Sequence, residues 1–421
     1  MLGSVDSHVP APSEPAEHGP SDWPSVEQIH SHIDHSPSGA LVQLKDLLLE
    51  CAQAVSRNDW GKAQQLLGVL GTRLTAPGDS FERVSSYFTA ALATRISRAT
   101  GTQVRSLELT FLPLGLIHPP GSDEVLAANL ALNQVTPFIR FAHLTANQAL
   151  LEALAGECYV HIVDLDIVHG LQWPPFMQAL ADLRADQGPG LPQLRITGIG
   201  KDRQILEMTS RRLADFAQSI NLPFEFIPLI QNLDSLKPSM LQLRTGEALA
   251  VNCMLQLHGL LEEAPVALES FLGMLYSLNP RVVTLAEREM SSNQPIFLDR
   301  FADALDHYSK LFDSLDATLP PSSSERIRVE QLWFWKEIAN IVGCEESEHI
   351  MRYQKFHQWR ICMETAGFQL LSTSEFALSQ ARLLLRLHYP SEGYHLVEDD
   401  GCLLLGWQDR PLFAVSSWNA L

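Results

Sequence analysis

The chain has 421 residues, with 30 Lys and Arg against 49 Asp and Glu, and so carries a formal net charge of −19. Hydrophobic residues make up 46% and charged residues 19%, which excludes a largely disordered chain and allows a sizeable buried core. The acidic balance argues against the broad basic surface on which non-specific nucleic-acid binding depends.

Cysteine spacing and apolar runs indicate an intracellular protein. The six cysteines lie far apart with no CxxC pair, unlike a disulfide scaffold or a zinc ribbon. No run approaches the roughly 18 apolar residues that a membrane-spanning helix needs. The N-terminus lacks the basic end and apolar centre of a signal peptide. We therefore expect a soluble protein of the nucleus or cytosol, without a membrane partner.

Residues 1–40 differ in composition from the rest of the chain. They contain six prolines, eight serines, six acidic residues and five histidines, but no Lys or Arg. Such a segment buries too little apolar surface to offset its ordering entropy, so a disordered acidic tail is predicted. His30, His32 and His35 are interpreted as part of this solvated tail, because no rigid scaffold surrounds them.

From residue 41 onward the apolar spacing becomes helical. Leu41, Leu44 and Leu48 follow the i, i+3, i+7 spacing of an amphipathic helix. Asp79 with Glu82 has the spacing of a capping box. Further helices are predicted over residues 60–70, 79–98, 124–141 and 144–154. We therefore predict a mainly helical cap over residues 41–155.

One of these helices contains an LxxLL sequence, Leu44-Lys-Asp-Leu47-Leu48. Such a sequence binds partner proteins when its leucines dock in an apolar groove. Any buried leucine-rich helix has the same spacing, and we favour a place in the core for Leu44, Leu47 and Leu48.

The pattern changes after Cys158. Residues 159–165 form a short apolar run typical of a buried parallel strand. Similar runs occur at 194–199, 224–229, 248–257 and 281–286. Helices are predicted between them, one that begins at Pro174 and two that cover 204–219 and 265–278. Strands that alternate with helices predict right-handed βαβ crossovers and a parallel sheet.

The C-terminal residues predict antiparallel strands. Asp399-Asp400-Gly401 separates runs at 394–398 and 402–407, and Asp-Gly is a strong hairpin signal. A last strand is expected at 412–416. The predicted fold class is α/β: a doubly wound, methyltransferase-like, mostly parallel sheet with a C-terminal antiparallel hairpin over residues 156–421, behind the N-terminal helical cap.

Two His and two Asp lie within nine residues around the end of the first strand: His161, Asp164, Asp166 and His169. Open α/β sheets bind ligands at the carboxyl ends of their strands. In a strand, however, Asp164 and Asp166 share one face while His161 points to the other, so one ion could not take all four without a bend. We favour structural hydrogen bonding over a metal site.

The loop after the first strand does not resemble a nucleotide site. It holds one glycine, Gly170, beside the bulky Ile167, Val168 and Leu171, where such sites use two or three glycines. The later Gly198-Ile-Gly200 lacks a third glycine, and no G-x-S-x-G is present. No catalytic residue, metal or cofactor is predicted, and the chain is not expected to be an enzyme.

Several stretches together resemble one family, the plant-specific GRAS transcriptional regulators. Val160-His161-Ile162-Val163-Asp164 resembles the VHIID signature, with Val163 in place of the second Ile. The helices at roughly 41–101 and 204–243 resemble its two leucine-rich regions, and residues 297–345 resemble its PFYRE region. The end of the chain, including Trp407 and Ser416-Ser417-Trp418, resembles its SAW region, with Ser417 where Ala is usual.

Residues 137–148 and 382–388 are similar to the lateral suppressor (monoculm) branch, which controls axillary meristem initiation and shoot branching. The Asp-Glu-Leu-Leu-Ala signature of the DELLA branch is absent from residues 1–40. Arg352-Tyr353-Gln354 stands where the family more often has Arg-His-Glu, so partner contacts at these residues are in doubt.

The resemblance implies a nuclear, non-enzymatic regulator that acts through other transcription factors or other GRAS proteins, as a homo- or heterodimer or alone. His161, Asp164, Asp166, His169, Gly170 and Trp173 would then brace a vestigial cofactor crevice. Direct DNA binding is the alternative, and would use a local groove around Arg203, Arg211 and Arg212. A methyltransferase-like or small-molecule-binding enzyme is a second alternative, which rests on the fold alone.

Overall fold

The computed structural model describes residues 37–74, 78–101, 122–185, 192–261, 266–320 and 322–420. The chain divides into two units, Met1–Gln43 and Leu44–Leu421, and the second contains the fold described below. Most of the predicted acidic tail, including His30, His32 and His35, lies outside the described residues. The first described helix begins at Pro37, four residues before the predicted boundary, and proline suits the first turn of a helix.

Five helices precede the sheet in the described part of the chain. The predicted cap at Asp79 is confirmed, because its carboxylate accepts a hydrogen bond from the Glu82 N–H at 2.8 Å. The helices are α1 (Pro37–Ser56), α2 (Trp60–Arg73), α3 (Ser80–Thr100), α4 (Ser122–Val135) and α5 (Pro137–Ala153).

The prediction of one helix over 124–141 and a second from residue 144 is wrong. The structure places the break at Thr136, between α4 and α5. Pro137 has no N–H and disfavours helical dihedral angles in the residue before it, and Thr136 accordingly has φ −123° and ψ 149°. Pro137 becomes the first residue of α5, which continues through the predicted gap to Ala153.

Five parallel strands follow in the order β3-β2-β1-β4-β5. The predicted strand over 248–257 ends early, because Leu255 has a positive φ of 55° and a 3₁₀ turn follows at Leu257–Leu260. The strands are β1 (Tyr159–Asp164), β2 (Gln193–Gly200), β3 (Phe224–Ile230), β4 (Ala248–Met254) and β5 (Val282–Arg288). The intervening helices are α6 (Trp173–Ala185), α7 (Arg203–Ser219) and α8 (Val266–Ser277).

Antiparallel strands extend the sheet beyond β5 in the order β9-β8-β7, and β6 also pairs with β9. The hairpin signal is confirmed: Asp400 and Gly401 both have positive φ, 48° and 89°, in the tight turn between β7 and β8. The strands are β6 (Gln369–Leu371), β7 (Tyr394–Asp399), β8 (Cys402–Trp407) and β9 (Arg410–Asn419). The predicted fold class, mostly parallel with a C-terminal antiparallel hairpin, is confirmed.

A second group of helices lies between β5 and β7. A π-helical turn, Glu330–Phe334, links α10 to α11. The helices are α9 (Phe297–Thr318), α10 (Ser324–Val329), α11 (Trp335–Gly343), α12 (Phe356–Thr365) and α13 (Glu375–His388). Helices α9 and α11 pack against α3. Helices α9 and α11 therefore form one helical layer with helices that precede the sheet, although residues 297–343 lie within the stretch 156–421 that was predicted as the α/β part.

Apolar side chains cover both faces of the parallel sheet. On one face Val160 and Ile162 of β1 pack with Trp173 and Phe176 of α6. On the other face Val163 packs in a cluster with α8 and α12 that includes Trp418 of β9. The carboxyl end of β1 thus lies between two well-packed layers, and this end holds the polar residues considered next.

Candidate functional site: the crevice at the carboxyl end of β1

The loop between β1 and α6 crosses the carboxyl ends of the neighbouring strands. The Leu165 N–H donates to the Asn252 carbonyl of β4 at 3.1 Å. Two residues later the Ile167 N–H donates to the Ile199 carbonyl of β2 at 3.0 Å. The loop is therefore hydrogen-bonded to both strands that flank β1 and covers the crevice between them.

Helix α7 holds this loop from the side. The Thr209 hydroxyl donates to the Val168 carbonyl at 2.8 Å, and the Arg212 guanidinium donates to the His169 carbonyl. Gly170 has φ 58°, and a Cβ at this position would lie 2.9 Å from Thr209 Cγ2. The single glycine of the loop thus permits a positive φ and a close approach to α7.

The carboxylate of Asp164 is buried under the loop. The Trp173 indole N–H donates to Asp164 Oδ2 at 2.8 Å, and the Asp166 N–H to its Oδ1 at 3.3 Å. Burial raises the pKa of Asp164 to about 7, although the bond from Trp173 works in the opposite direction. Asp166 accepts from the Gln256 amide at 2.7 Å, and burial raises its pKa to about 6.

A network of side-chain amides lies beside Asp164. Gln172 Nε2 donates to Asn147 Oδ1 and to Asn252 Oδ1, both at 3.0 Å. Asn252 Nδ2 donates back to Gln172 Oε1 at 2.9 Å, and the Thr284 hydroxyl donates to Asn252 Oδ1 at 2.9 Å. The network joins α5, the loop, β4 and β5, and the sequence analysis did not identify it.

Bulky side chains pack at the carboxyl ends of β1 and β2. Trp173 is fully buried, and Ile167 is buried beside it. Ile167 Cγ2 lies so close to β2 that a Cβ on Gly198 would be only 2.8 Å from it. The space beside Gly198 at the end of β2 is therefore occupied by a side chain of the loop itself.

His161 lies on the opposite face of β1 from Asp164, as strand alternation predicts. Arg195 donates to its Nδ1 at 3.0 Å, so its Nε2, 2.8 Å from the Thr197 hydroxyl, carries the proton. Burial and Arg195 lower the pKa of His161 to about 4. Glu247, which is partly exposed, forms an ion pair with Arg195 at the edge of this buried cluster. Within the described ranges, no group of three or more His, Cys, Asp or Glu is placed to hold a metal ion.

The LxxLL leucines are in the core. Leu44, Leu47 and Leu48 of α1 are all buried, in the apolar cluster that also contains residues of α3, α9 and α11. Docking through these three side chains would require α1 to leave that cluster.

The three arginines considered for DNA contact do not form one basic face. Arg212 points to the loop, where it donates to the His169 carbonyl. Arg203 and Arg211 are exposed on α7, but Glu207 and Asp215 alternate with them at four-residue spacing on the same side of the helix. The described surface of α7 is therefore mixed in charge.

The C-terminal tryptophans are hydrogen-bonded within the fold. The Trp407 indole donates to Asp313 Oδ2 of α9 at 2.6 Å, and the Trp418 indole to Ser416 Oγ at 2.9 Å. Ser417 is partly exposed and lines a hollow of about 300 Å³ between α5 and the start of α13. Trp407 thus joins the hairpin to α9.

The sequence Arg352-Tyr353-Gln354 is buried. The Arg352 guanidinium donates to the backbone carbonyls of His349 and Glu346 at 2.8 and 3.0 Å. The Tyr353 hydroxyl donates to Glu337 Oε1 at 3.3 Å, in the interior. These contacts are internal, so the surface does not offer these side chains to a partner.

No helix in the described part of the chain has the length and apolar character needed to cross a membrane.

Among proteins of known sequence, the chain is 44% identical to Scarecrow-like protein 18 of Arabidopsis thaliana, over 89% of this chain and 91% of that protein. It is 41% identical to Protein MONOCULM 1 of Oryza sativa subsp. japonica, over 89% and 88% of the two chains.

The fold has a solved counterpart. The crystal structure of SCL7 from Oryza sativa matches with a TM-score of 0.75 at 36% identity, over 89% of this chain and 99% of that one. The model of the GRAS domain family matches residues 44–419, nearly the whole of the described fold. The chain therefore belongs to the GRAS family of plant transcriptional regulators.

Proposed function

We propose that this GRAS protein is a non-enzymatic regulator that acts in the nucleus through protein partners, among them other transcription factors and other GRAS proteins. The observation that carries the proposal is the filled crevice at the end of β1. Asp164 and Asp166 are engaged by Trp173 and Gln256, so the polar groups at the strand ends support the fold instead of facing a ligand.

The same contacts argue against a surviving methyltransferase. A cofactor at the strand ends would have to displace Ile167 and Trp173 and break the amide network of Gln172. Isothermal calorimetry of the full chain with S-adenosylmethionine tests this: no heat is expected at millimolar ligand. Saturable binding would contradict the non-enzymatic proposal.

The acidic net charge of the chain favours contact with DNA through a partner protein over direct contact with DNA. The chain carries a net charge of −19, and Glu207 and Asp215 offset Arg203 and Arg211 on α7. Repulsion from phosphates would therefore oppose binding by the chain alone, whereas a basic partner would reverse it. We accordingly propose that promoter contact depends on a sequence-specific partner.

A selection from a random-sequence DNA pool tests this dependence. The purified full chain alone is expected to enrich no sequence, whereas the chain with plant nuclear extract is expected to enrich one. Strong enrichment by the chain alone would establish direct binding instead, provided that Arg203→Glu/Arg211→Glu abolishes it and the control Arg57→Glu, in the turn after α1, retains it.

We further propose that the chain controls axillary meristem initiation and shoot branching. This rests on its likeness to the lateral suppressor (monoculm) branch, including 41% identity to Protein MONOCULM 1. In this proposal residues 41–421 act as the GRAS domain and residues 1–40 as an acidic tail. Plants in which the gene is disrupted are expected to form fewer axillary buds, and unchanged bud counts would contradict the developmental role.

A further inference from the structure

Helix α13 exposes a stripe of large apolar side chains. Phe376, Leu383 and Leu387 are 60%, 46% and 61% exposed. Their spacing of seven and four residues places them on one face of the helix, opposite the buried Ala377 and Ala381. Burying these three side chains on this helix would remove apolar area from water without unpacking the core.

One edge of the stripe is basic. Arg382 and Arg386 each precede an exposed leucine by one residue, and their four-residue spacing places them one turn apart on the same side. Both are exposed, and within the described residues neither guanidinium has a carboxylate partner. Glu375 precedes Phe376 in the same way and is exposed, so this edge carries one carboxylate besides the two guanidinium groups.

The charges beside the stripe help to distinguish a second copy of this chain from a different partner protein. If a second copy packed its stripe antiparallel about a two-fold axis at the middle of the stripe, Arg382 would face its own copy, and Glu375, the one carboxylate of this edge of the helix, would lie near Arg386 of the other copy. In the parallel arrangement this edge would face the opposite edge of the second copy, which begins with the uncharged Gln380. A partner with carboxylates along one edge of its own apolar stripe would instead neutralise Arg382 and Arg386.

We propose that the face of Phe376, Leu383 and Leu387 binds an acidic amphipathic helix of a partner protein, with its Asp or Glu side chains over Arg382 and Arg386. This inference rests on the proposed function, because it specifies a surface for the partner. Apolar anchors at helical spacing supply the contact area, and the arginine row sets the orientation of the bound helix.

A designed peptide pair tests the chemistry directly. One peptide of about 18 residues, roughly five helical turns, carries leucines on one face and glutamates along one edge. The other has lysines in place of the glutamates. By fluorescence anisotropy with the full chain, the glutamate peptide is expected to bind saturably and at least about tenfold more tightly than the lysine peptide. Equal binding of the two peptides would overturn the proposal.

Variants locate the binding surface. Leu383→Ser/Leu387→Ser is expected to weaken binding of the glutamate peptide at least about tenfold. Arg382→Glu/Arg386→Glu is expected to reverse the preference between the peptides. Ile361→Ser, at a side chain of α12 that is 61% exposed, is the matched control and is expected to leave binding unchanged. Equal weakening by the control would place the binding elsewhere.

Two further measurements separate the remaining outcomes. If light scattering shows a dimer that Leu383→Ser/Leu387→Ser abolishes, the occupant is a second copy and the acidic-partner proposal fails. In plant cells, the full chain tethered to a reporter promoter is expected to change transcription, and the leucine variant to lose that effect. If the leucine variant still changes transcription, the proposed role of α13 fails but the proposed function stands. If the unaltered chain does not change transcription, the proposed function itself fails.

Discussion

The indole N–H of Trp173 donates a 2.8 Å hydrogen bond to Asp164 Oδ2, and both residues are buried. Asp164 ends β1 and Trp173 begins α6, so this bond closes the loop between them over the sheet. In a dinucleotide or methyl-donor fold this loop would pass around a ligand. Here the loop folds onto the chain itself.

Trp173→Phe removes the N–H donor and replaces the buried indole with a smaller phenyl ring. At pH 8 the buried Asp164 carboxylate would then lose a charge-assisted hydrogen bond, and we expect the free energy of unfolding to fall by about 2–3 kcal/mol. Urea denaturation followed by circular dichroism measures this. The control is Trp333→Phe, which loses a 2.8 Å bond to the neutral, partly exposed Asn129 and is expected to cost about 1 kcal/mol. Equal losses would show that the charge of Asp164 is irrelevant.

The Asp164 carboxyl also makes stability depend on pH. Burial raises its folded-state pKa to about 7, whereas an unfolded aspartate titrates near 4. Between these values the folded chain binds more protons than the unfolded chain, so its free energy of unfolding falls as the pH rises. Asp166, with a pKa raised to about 6, contributes in the same direction.

Asp164→Asn is expected to flatten this dependence. The amide does not titrate, but its Oδ1 still accepts from Trp173. Relative to the unaltered chain, the variant should gain about 2–4 kcal/mol in free energy of unfolding between pH 4 and pH 8. Paired urea titrations at the two values measure the gain, and pH 4 is the internal reference because Asp164 is then largely protonated in the folded state. Parallel curves for the two proteins would contradict the raised pKa.

Gly170 tests the close approach of the loop to α7. Gly170→Ala would combine φ 58° with a Cβ only 2.9 Å from Thr209 Cγ2, and we expect a loss of about 1–3 kcal/mol. Gly68→Ala in α2 is the matched control, because no atom lies within 4 Å of its Cβ position. A helical alanine there should stabilise the chain by about 0.5–1 kcal/mol. The two variants should therefore shift the urea midpoint in opposite directions, and a shared direction would refute the steric argument.

The sequence predicted the strand pattern well but not all of the contacts at the crevice. Apolar runs alternating with helices are local signals, and they located the five parallel strands and the Asp400-Gly401 turn. The amide network is different: Gln172 lies 25 residues from Asn147 and 80 from Asn252. Such separations leave no spacing pattern, so the pairing becomes visible only when the sheet brings the residues together.

The positions of the helices could also be predicted only in part. Helix α9 was not predicted from periodicity, because residues 297–345 were identified only by their family resemblance. The structure packs α9 against α3 of the cap. The break at Thr136, by contrast, was available from the sequence, because the residue before Pro137 disfavours helix. The core place favoured for the LxxLL leucines is confirmed, because all three are buried, whereas the sequence analysis did not identify the apolar face exposed on α13.

The buried pair Arg288–Glu337 connects the sheet to α11. Arg288 ends β5, Glu337 lies in α11, and Nη2 donates to Oε1 at 2.7 Å. The hydroxyl of Tyr308 in α9 donates to Oε2 at 2.6 Å. Both charged side chains are buried, so each depends on the other for compensation.

Glu337→Gln keeps the shape of the side chain but leaves the Arg288 guanidinium without its counter-charge. Removing one partner of a buried pair typically costs about 3–5 kcal/mol, and we expect a loss of that size in urea denaturation. The control is Glu348→Gln, whose partner is Arg98 and whose pair is 67% and 50% exposed; solvent screening should limit its loss to about 1 kcal/mol. If Glu337→Gln cost no more than the control, water would have to reach Arg288, and α11 would not be sealed against the sheet at the end of β5.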